Sequence, residues 1–317
     1  ANICKVEILA EDEDDLKKLV DLEERIKKQI FGQDKAVDEV TEAVQMASTG
    51  LIDDNKPMAS LLFVGPTGVG KTEVAKVLSS ELGIPLIRFD MSEYAEKHTI
   101  AKLIGSPAGY VGYEDGGLLT DAIRKTPHCV LLLDELEKAH QDIYNILLQV
   151  MDYAVLSDNK GQKADFRHVV IIMTTNAGAQ YAKQTIGFNN TIQSGDNMMK
   201  SVKSTFKPEF LNRLTSVTIF NDMNKEMAEQ ILSKKLSTLE SQLLNKKIKL
   251  SISSTAKEYL LQVGFSPIYG GREIDRVITS KVKPLIMRAI LHGELRENMI
   301  ANIDFIEDRI SLICSKQ

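Results

Sequence analysis

A glycine-rich segment followed by Lys71 and Thr72 is the first feature of this chain that points to chemistry. Residues 65–72 read GPTGVGKT, which has the form G-x-x-x-x-G-K-[ST] of a phosphate-binding loop. The glycines let backbone N–H groups turn inward towards a polyphosphate, and a following helix presents its positive end to the same anion. Lys71 is then placed to reach the β- and γ-phosphates, and the Thr72 hydroxyl to ligate Mg²⁺. The apolar run before the loop and the helical spacing after it favour this interpretation over a glycine-rich turn. The predicted nucleoside triphosphate site comprises Gly65, Pro66, Thr67, Gly68, Val69, Gly70, Lys71 and Thr72.

Acidic and amide side chains follow two other apolar runs. Asp134 and Glu135 come directly after the run at 129–133, and Asn176 follows the run at 169–175. A carboxylate at such a strand end can hold Mg²⁺ through its water shell, which is the role predicted for Asp134. Glu135 is then the candidate that orients or deprotonates the attacking water, and Asn176 can hydrogen-bond that water and the γ-phosphate. Without the phosphate-binding loop, the acids could equally form a helix N-cap and a first-turn acid, and Asn176 a turn.

The composition is that of a globular chain and bounds its partners. The 317 residues carry a net charge of −5, with 43% hydrophobic and 26% charged residues. An acidic balance argues against a nucleic-acid surface, and no apolar stretch approaches the roughly 20 residues of a membrane span. Cys4, Cys129 and Cys314 have no CxxC spacing, which predicts a reducing compartment with neither a disulfide framework nor a zinc site. Because the chain opens at Ala1 without a signal peptide, we expect a piece of a larger protein.

The elements that must position these residues alternate between strand and helix up to about residue 220. Helical spacing is seen from Leu16 to Ile30 and again from Val37 to Ala47. Short, continuously apolar runs then predict strands buried on both faces of a parallel sheet. These runs are Leu61–Val64, Pro85–Phe89, Cys129–Leu133 and Val169–Thr175. The polar stretch from Gly178 to Asp196 has little periodicity and predicts an exposed loop.

The pattern changes after Phe220, which predicts a second domain. A long helix is expected over 224–244, then a short strand over 248–252 and helices from Thr255 and Arg272. The runs at 300–305 and 309–313 predict a terminal hairpin. We therefore expect a lead-in or linker helix over 1–30, a large α/β domain over 31–220, and a smaller, mainly helical α+β domain over 221–317.

The order of the motifs GPTGVGKT, LLLDE, TTNAG, PEFLNR and GGRE resembles the AAA+ ATPases. The resemblance is strongest to the second ATPase module of the Clp unfoldases and covers nearly the whole chain, including RFDMSEY at 88–94 and GGLLTD at 116–121. It implies an α/β fold in which helices sandwich a parallel sheet, followed by a small C-terminal domain. It also implies hydrolysis of ATP to ADP with Mg²⁺, coupled to protein unfolding.

The resemblance assigns roles to five positions, four of which are new. Ile30 and Phe31 match the residues that hold the adenine, and Asn176 matches the first sensor. Arg213 matches the arginine finger, which acts in the neighbouring subunit's site and therefore implies a homohexameric ring. Arg272 matches the second sensor, which contacts the γ-phosphate from the small domain. Without the family, both arginines would be interpreted as ordinary surface or salt-bridge residues.

The segment Gly109-Tyr110-Val111-Gly112 places a large aromatic side chain between two glycines. Sequence alone leaves open a hairpin whose Tyr110 folds back into the core. The resemblance implies instead a pore loop in which Tyr110 and Val111 grip an unfolded polypeptide, a contact that needs no specific hydrogen-bond partner. The polar stretch 157–165 resembles a second pore loop.

The apolar triplet Ile186-Gly187-Phe188 lies within the polar 178–196 stretch. Composition alone leaves open a loop anchored to its own domain by Phe188. In the Clp unfoldases that feed a protease, such a triplet docks on the ClpP ring, whereas disaggregating members lack it. We therefore expect a module that threads polypeptides into ClpP, in the bacterial cytosol or an organelle matrix or stroma. The alternatives are a disaggregating module of the ClpB or ClpC type, a nucleic-acid-acting AAA+ motor, and a scaffold that binds nucleotide without hydrolysing it.

Overall fold

The computed structural model describes residues 13–106, 116–179, 191–265 and 271–316. They fall into two compact units. Unit 1 takes in the chain up to Pro66 and again Gly70–Asn221, and unit 2 comprises Thr67–Val69 and the chain from Asp222 onward. In the described parts of the chain, no helix is both long enough and apolar enough to cross a bilayer.

A five-stranded sheet in the order β2-β3-β6-β1-β7 forms the centre of unit 1. Every neighbouring pair is parallel, as the alternation of strands and helices predicts. The three central strands are buried at every residue, which explains their unbroken apolar sequence. The strands are β1 (Ala59–Val64), β2 (Leu86–Asp90), β3 (Cys129–Asp134), β6 (Val169–Thr175) and β7 (Ser216–Ile219). The first four confirm the predicted strands. β7 was not predicted because its alternation of serine and threonine with valine and isoleucine does not form an apolar run.

Helices surround this sheet and complete the core of unit 1. They are α1 (Glu13–Val20), α2 (Leu22–Lys27), α3 (Asp34–Ser48), α4 (Lys71–Leu82), α5 (Ile100–Ile104), α6 (Leu118–Lys125), α7 (Gln141–Tyr153), α8 (Thr191–Thr205) and α9 (Pro208–Leu211). Short 3₁₀ turns cover Met91–Tyr94, Lys97–Thr99 and Leu136–Lys138. The single helix predicted from Leu16 to Ile30 is two helices that are interrupted at Asp21.

The loop prediction for residues 178–196 is wrong from Thr191 onward, where α8 begins. Its later turns are anchored by Met198, Val202 and Phe206, which recur every four residues and are at most 3% exposed. The first two turns are polar in sequence, so the apolar periodicity that marks a helix is missing there. Residues 180–190 lie outside the described residues.

Two short antiparallel strands, β4 (Val155–Ser157) and β5 (Lys163–Asp165), form the two ends of the stretch 157–165 that resembles a second pore loop. The turn between them is organised by Asp158, whose Oδ1 accepts the backbone N–H groups of Lys160 and Gln162 at 2.9 and 2.8 Å. Arg124 of α6 donates to the other Asp158 oxygen at 2.9 Å, and the Asp158 side chain is only 1% exposed. This stretch is therefore a fixed hairpin rather than an irregular loop.

Unit 2 packs helices against a three-stranded sheet in the order β10-β9-β8. Its helices are α10 (Lys225–Leu244), α11 (Ser254–Gly264), α12 (Arg272–Val277) and α13 (Lys283–Leu291), with a π-helical turn over Ile278–Val282. Its strands are β8 (Lys249–Ile252), β9 (Met299–Ile306) and β10 (Arg309–Lys316). The hairpin of β9 and β10 is confirmed, and β8 adds to β9 in parallel.

Candidate active site

The carboxyl ends of β1, β6 and β3 bring the predicted polar residues to one edge of the sheet. These three strands are neighbours, so the loop after β1, Asp134 at the end of β3, and Asn176 after β6 lie side by side. Gly65 N donates to Thr175 O at 3.3 Å, which fixes the start of the loop against the end of β6. Residues more than 100 positions apart therefore share one edge, as expected for a parallel sheet whose ligands bind outside the strand ends.

Lys71 is the residue at which the phosphate-binding loop and Asn176 meet. Its ammonium donates to Gly65 O at 2.6 Å, to Pro66 O at 2.7 Å and to Asn176 Oδ1 at 3.0 Å. The residue is only 7% exposed, so these contacts hold a buried positive charge inside the curl of the loop. The lysine predicted to bind phosphate and the asparagine predicted to orient water thus converge on the same point.

The loop reaches α4 through a backbone conformation that favours glycine. Gly70 caps α4 with φ 108° and ψ 5°, and a Cβ placed there would meet no atom within 4 Å. The restriction is therefore conformational and not steric crowding, because L side chains rarely adopt a positive φ. α4 thus begins directly at the end of the loop, where a helix presents its positive N-terminal end to an anion.

Asp134 is held from three directions. Thr174 Oγ1 donates to its Oδ1 at 2.6 Å, and the Arg88 guanidinium contacts its Oδ2 at 2.7 Å. Thr72 Oγ1 lies 3.4 Å from both carboxylate oxygens, which is longer than an ordinary hydroxyl hydrogen bond. The Asp134 side chain is 7% exposed. Thr72 and Asp134 thus present oxygen atoms towards one another without closing a tight bond between them.

Glu135 adopts a conformation that is unusual for a residue other than glycine. Its φ of 58° and ψ of 49° are left-handed, which costs about 1–2 kcal/mol for an L residue. The Glu135 N–H donates to Thr174 Oγ1 at 3.1 Å, so Thr174 connects both acids of the pair. The side chain meets the Lys138 ammonium at 2.5 Å, and this hydrogen bond raises the pKa of Lys138. Strain of this kind persists where the surroundings fix it, and it is concentrated at functional sites.

The Glu137 carboxylate contacts the backbone of Asn176. Its Oε1 accepts the Asn176 N–H at 3.2 Å, whereas its Oε2 is buried and has no partner among the described residues. Tyr144 of α7 donates to Leu136 O at 2.8 Å, and burial together with the nearby Glu137 charge raises the pKa of this tyrosine. The turn over residues 136–138 is therefore tied both to α7 and to the end of β6.

Arg213 is engaged on the surface of its own unit. It donates through Nε to both carboxylate oxygens of Asp152 at 2.8 Å and through Nη1 to Glu209 O at 2.8 Å. The hydrogen bond to Asp152 is the main reason that the pKa of Arg213 is raised. The side chain is 31% exposed, so the guanidinium is braced and still accessible.

Ile30 and Phe31, the predicted adenine contacts, come just before Gln33, which forms a pair of hydrogen bonds within unit 1. Ile30 is 5% exposed, and Gln33 is 1% exposed. Gln33 exchanges two hydrogen bonds with the Asn221 backbone, donating to its carbonyl at 2.9 Å and accepting its N–H at 2.8 Å. The segment after α2 is thereby fastened to the last residue of unit 1.

The remaining predicted residues belong to unit 2 or lie outside the described residues. Arg272 is exposed and begins α12 in unit 2, and Thr67, Gly68 and Val69 are also grouped with unit 2. Tyr110 and Val111 lie outside the described residues, as does the triplet Ile186, Gly187 and Phe188.

Two family models account for most of the chain. Residues 56–217 match the AAA domain (Cdc48 subfamily), which includes the phosphate-binding loop and all three strand ends of the site. The chain belongs to the AAA+ ATPase family. Residues 223–303 match the C-terminal, D2-small domain of ClpB protein, so this AAA+ module has the make-up of a second ATPase module of the Clp type. The predicted fold and family are confirmed.

Relatives of this AAA+ module extend over almost all of it. A "ClpA homolog protein" of Fuscovulum blasticum is 44% identical over 98% of this chain and 39% of its own length. The "Chaperone protein ClpB" of Clostridium perfringens is 42% identical over 94% of this chain and 35% of its own length. A solved structure of Hsp104 with ATPγS and FITC-casein matches with a TM-score of 0.87 and 32% identity, over 98% of this chain and 54% of that one. The AAA+ module thus spans little more than a third of these two curated relatives and about half of the Hsp104 chain.

Several residues of the AAA+ site were missed in the sequence. Arg88, Thr174, Lys138 and Glu137 all contact a predicted site residue. Arg88 gave only a weak signal, because β2 is a partly exposed edge strand on which a charged side chain is ordinary. Thr174 and Glu137 gave no signal, since their roles depend on which strand ends become neighbours.

The side chains of the AAA+ site fit a nucleoside triphosphate with Mg²⁺. The carboxylate of Asp134 and the hydroxyl of Thr72 are hard oxygen donors, and Mg²⁺ binds few protein ligands of this kind while keeping waters and phosphate oxygens. The glycine cap of α4 and the Lys71 ammonium suit the phosphates. Thr72 and Asp134 would therefore hold the cation, and Lys71 with the start of α4 would hold the anion.

Proposed function

We propose that this chain hydrolyses ATP as the motor module of a Clp-type protein unfoldase. The observation that carries the proposal is the meeting of Lys71, Asn176, Thr72 and Asp134 at one sheet edge, with Glu135 held in a left-handed conformation beside them. A site built only to bind nucleotide needs the lysine and the glycine loop. It does not need a glutamate with a strained backbone, such as Glu135, next to the carboxylate of Asp134 that is proposed to hold Mg²⁺.

Each side chain has a definite task in this proposal. Bound Mg²⁺ would neutralise charge that develops on the phosphate oxygens. Lys71 and the N–H groups at the start of α4 bind and orient the phosphates, and Asn176 orients the attacking water. Glu135 accepts the proton from that water, after its carboxylate exchanges the Lys138 contact for the water.

The two arginines extend the site beyond one subunit. Arg213, braced by Asp152, would reach the site of a neighbouring copy, so that hydrolysis requires a hexameric ring. Arg272 at the start of α12 would act as the second sensor from the small domain. A guanidinium at the γ-phosphate is worth about 10³–10⁵ in rate in related nucleotide hydrolases. We assign 1–30 to a linker, 31–220 to the ATPase domain and 221–317 to the small domain.

Two segments of the sequence indicate which activity is driven by ATP hydrolysis. Tyr110 and Val111 would grip an unfolded polypeptide in the axis of the ring, and Ile186, Gly187 and Phe188 would dock the ring on ClpP. The similarity to the "ClpA homolog protein" supports this assignment. We place this activity in the cytosol of a bacterium, since the relatives above are bacterial proteins.

A second candidate function is disaggregation without a protease. The small domain matches that of ClpB, and the ClpB chaperone of Clostridium perfringens is 42% identical to this chain, which is close to the 44% of the ClpA homolog. The triplet at 186–188 favours the protease-coupled function, because disaggregating members lack it. The two candidates therefore differ in a single testable interaction.

The ATPase proposal is tested by Glu135→Gln in the full-length protein. The variant should bind ATP as tightly as the parent while phosphate release falls by at least about a hundredfold, because the water loses its base. Glu93→Gln is the matched control, since Glu93 is an exposed acid that follows the neighbouring strand β2, and it should leave hydrolysis unchanged. Normal turnover by Glu135→Gln would overturn the assignment.

The protease proposal is tested by replacing Ile186 and Phe188 with serine and measuring association with ClpP in ATP. We expect association to be lost while ATP hydrolysis remains. Tyr110→Ala is the control, since it should keep association and lose degradation of a folded substrate. Association that survives the double replacement would favour disaggregation.

A further inference from the structure

Arg88 is an exposed charged residue on β2, an edge strand of the sheet. It lies on β2 with its Cα in register with Leu132 of β3, two residues before the strand end at Asp134. Its guanidinium extends along the sheet edge to Asp134 Oδ2 at 2.7 Å, and 48% of the side chain remains exposed. Arg88 therefore reaches the magnesium carboxylate from the side opposite to the phosphate-binding loop.

Asp134 needs a positive partner because it is buried. An ionised carboxylate that is taken out of water is stable only when it is paired and hydrogen-bonded. Thr174 supplies a hydrogen bond but no charge. The two other cations at this edge contact other groups, since Lys71 donates to Asn176 and the loop carbonyls and Lys138 contacts Glu135. Arg88 supplies a positive charge through its ion pair with Asp134.

We propose that Arg88 is a built-in counter-ion of Asp134 and that it sets how strongly nucleotide binding depends on Mg²⁺. The inference rests on the proposed nucleotide site. Arg88 and Mg²⁺ interact with the same Asp134 carboxylate. The guanidinium neutralises this carboxylate before the nucleotide binds, and its positive charge then repels the Mg²⁺ that binds with the nucleotide. Arg88 is thus a positioning residue, because it acts through Asp134.

This competition predicts that loss of the Arg88 charge weakens nucleotide binding only when the cation is absent. Removing the Arg88 charge leaves Asp134 unpaired beside the phosphates, so nucleotide should bind more weakly in EDTA. In saturating Mg²⁺ the cation replaces the lost charge, so affinity should return to within about twofold of the parent. The dissociation constant in EDTA divided by that in Mg²⁺ should therefore rise by up to about fivefold, the upper end for an ion pair with an exposed partner.

The experiment measures equilibrium binding of a fluorescent ADP analogue to the full-length protein in EDTA and across a Mg²⁺ titration. Arg88→Met removes the charge and keeps the length of the side chain, and Arg88→Lys keeps the charge. Arg167→Met is the matched control. Arg167 also pairs with an aspartate, Asp165, and its side chain is similarly exposed at 54%. It lies before the amino-terminal end of β6, whereas the candidate site is at the carboxyl ends of the strands. Only Arg88→Met should raise the ratio and lower the Mg²⁺ concentration needed for half-saturation.

The outcomes separate this inference from the proposed function. Failure of the parent protein to bind the analogue under any condition would contradict the proposed function itself. A parent that binds, with an unchanged ratio in Arg88→Met, would overturn the role of Arg88. Equal weakening with and without Mg²⁺ would also overturn it, since Arg88 would then bind phosphate directly. Arg88→Gln repeats the test if Arg88→Met fails to fold.

Discussion

Thr174 should be as important to the site as the two acids that it connects. Its hydroxyl donates to Asp134 Oδ1 at 2.6 Å and accepts the Glu135 N–H at 3.1 Å, and the residue is 2% exposed. Thr174→Val replaces the hydroxyl with a methyl group of similar volume. The substitution therefore removes both hydrogen bonds without opening a cavity, and it leaves the strand β6 intact.

The expected cost follows from these two bonds. Loss of a hydrogen bond to a charged group costs about 1.5–3 kcal/mol, and a backbone N–H left without an acceptor costs about 1–3 kcal/mol. Arg88 still pairs with Asp134, so the lower halves of these ranges apply. We predict that Thr174→Val lowers the free energy of unfolding by about 2.5–4 kcal/mol. Because Glu135 loses the contact that fixes its backbone, phosphate release should also fall by at least about tenfold.

Urea denaturation and a phosphate-release assay test this prediction with two matched variants. Thr174→Ser keeps the hydroxyl and should retain most of the activity. Thr175→Val removes a hydroxyl that is equally buried but accepts only the Ala177 N–H, so it should cost about 1 kcal/mol and spare hydrolysis. The reasoning is refuted if Thr174→Val and Thr175→Val are equally stable and equally active, or if Thr174→Ser is as damaged as Thr174→Val.

Three further predictions concern stability and are checked by denaturation of the variants. A Cβ on Gly117 would lie 2.5 Å from a backbone oxygen of α5, so Gly117→Ala should destabilise by about 3 kcal/mol. Gly195→Ala in α8 meets nothing within 4 Å and should be neutral or stabilising by up to about 1 kcal/mol. Arg124→Met leaves the buried Asp158 charge unpaired and should cost about 3 kcal/mol, part of which returns in the double variant with Asp158→Asn. Burial, and next the charge of a nearby histidine, lowers the pKa of His128 below 6.5, so the unfolded state binds the proton first. Stability should therefore fall as the pH drops below about 6.5, and His128→Gln should flatten that loss. Equal stability of the two alanine variants, an unperturbed Arg124→Met, or a parent curve that is flat between pH 7 and pH 5 would contradict the respective prediction.

Features that depend only on neighbouring residues in the sequence could be predicted from it. The phosphate-binding loop needs a fixed order of residue types, and the central strands β1, β3 and β6 are buried on both faces and so read as unbroken apolar runs. The acids at 134–135 and the asparagine at 176 could be placed because parallel strands end at a common edge. These parts of the prediction required no knowledge of which distant residues make contact.

Features that depend on contacts between distant segments were not predictable. β7 is an edge strand with alternating polar residues, and it is a strand because β1 is available to pair with it. Arg88 pairs with Asp134, which is 46 positions away in the sequence. Gln33 pairs with Asn221, which is 188 positions away. The first turns of α8 lack apolar periodicity and are set by the later turns that pack into the core.

The central claim is that Lys71, Asp134 and Glu135 form one site that hydrolyses ATP. The most direct measurement is steady-state phosphate release by the full-length protein with and without Mg²⁺, beside Lys71→Met. We predict Mg²⁺-dependent release by the parent protein. Lys71→Met should lose both release and ATP binding, because the buried ammonium is the charge that faces the phosphates. Tight ATP binding by the parent without phosphate release in Mg²⁺ would contradict the claim and leave a nucleotide-binding scaffold.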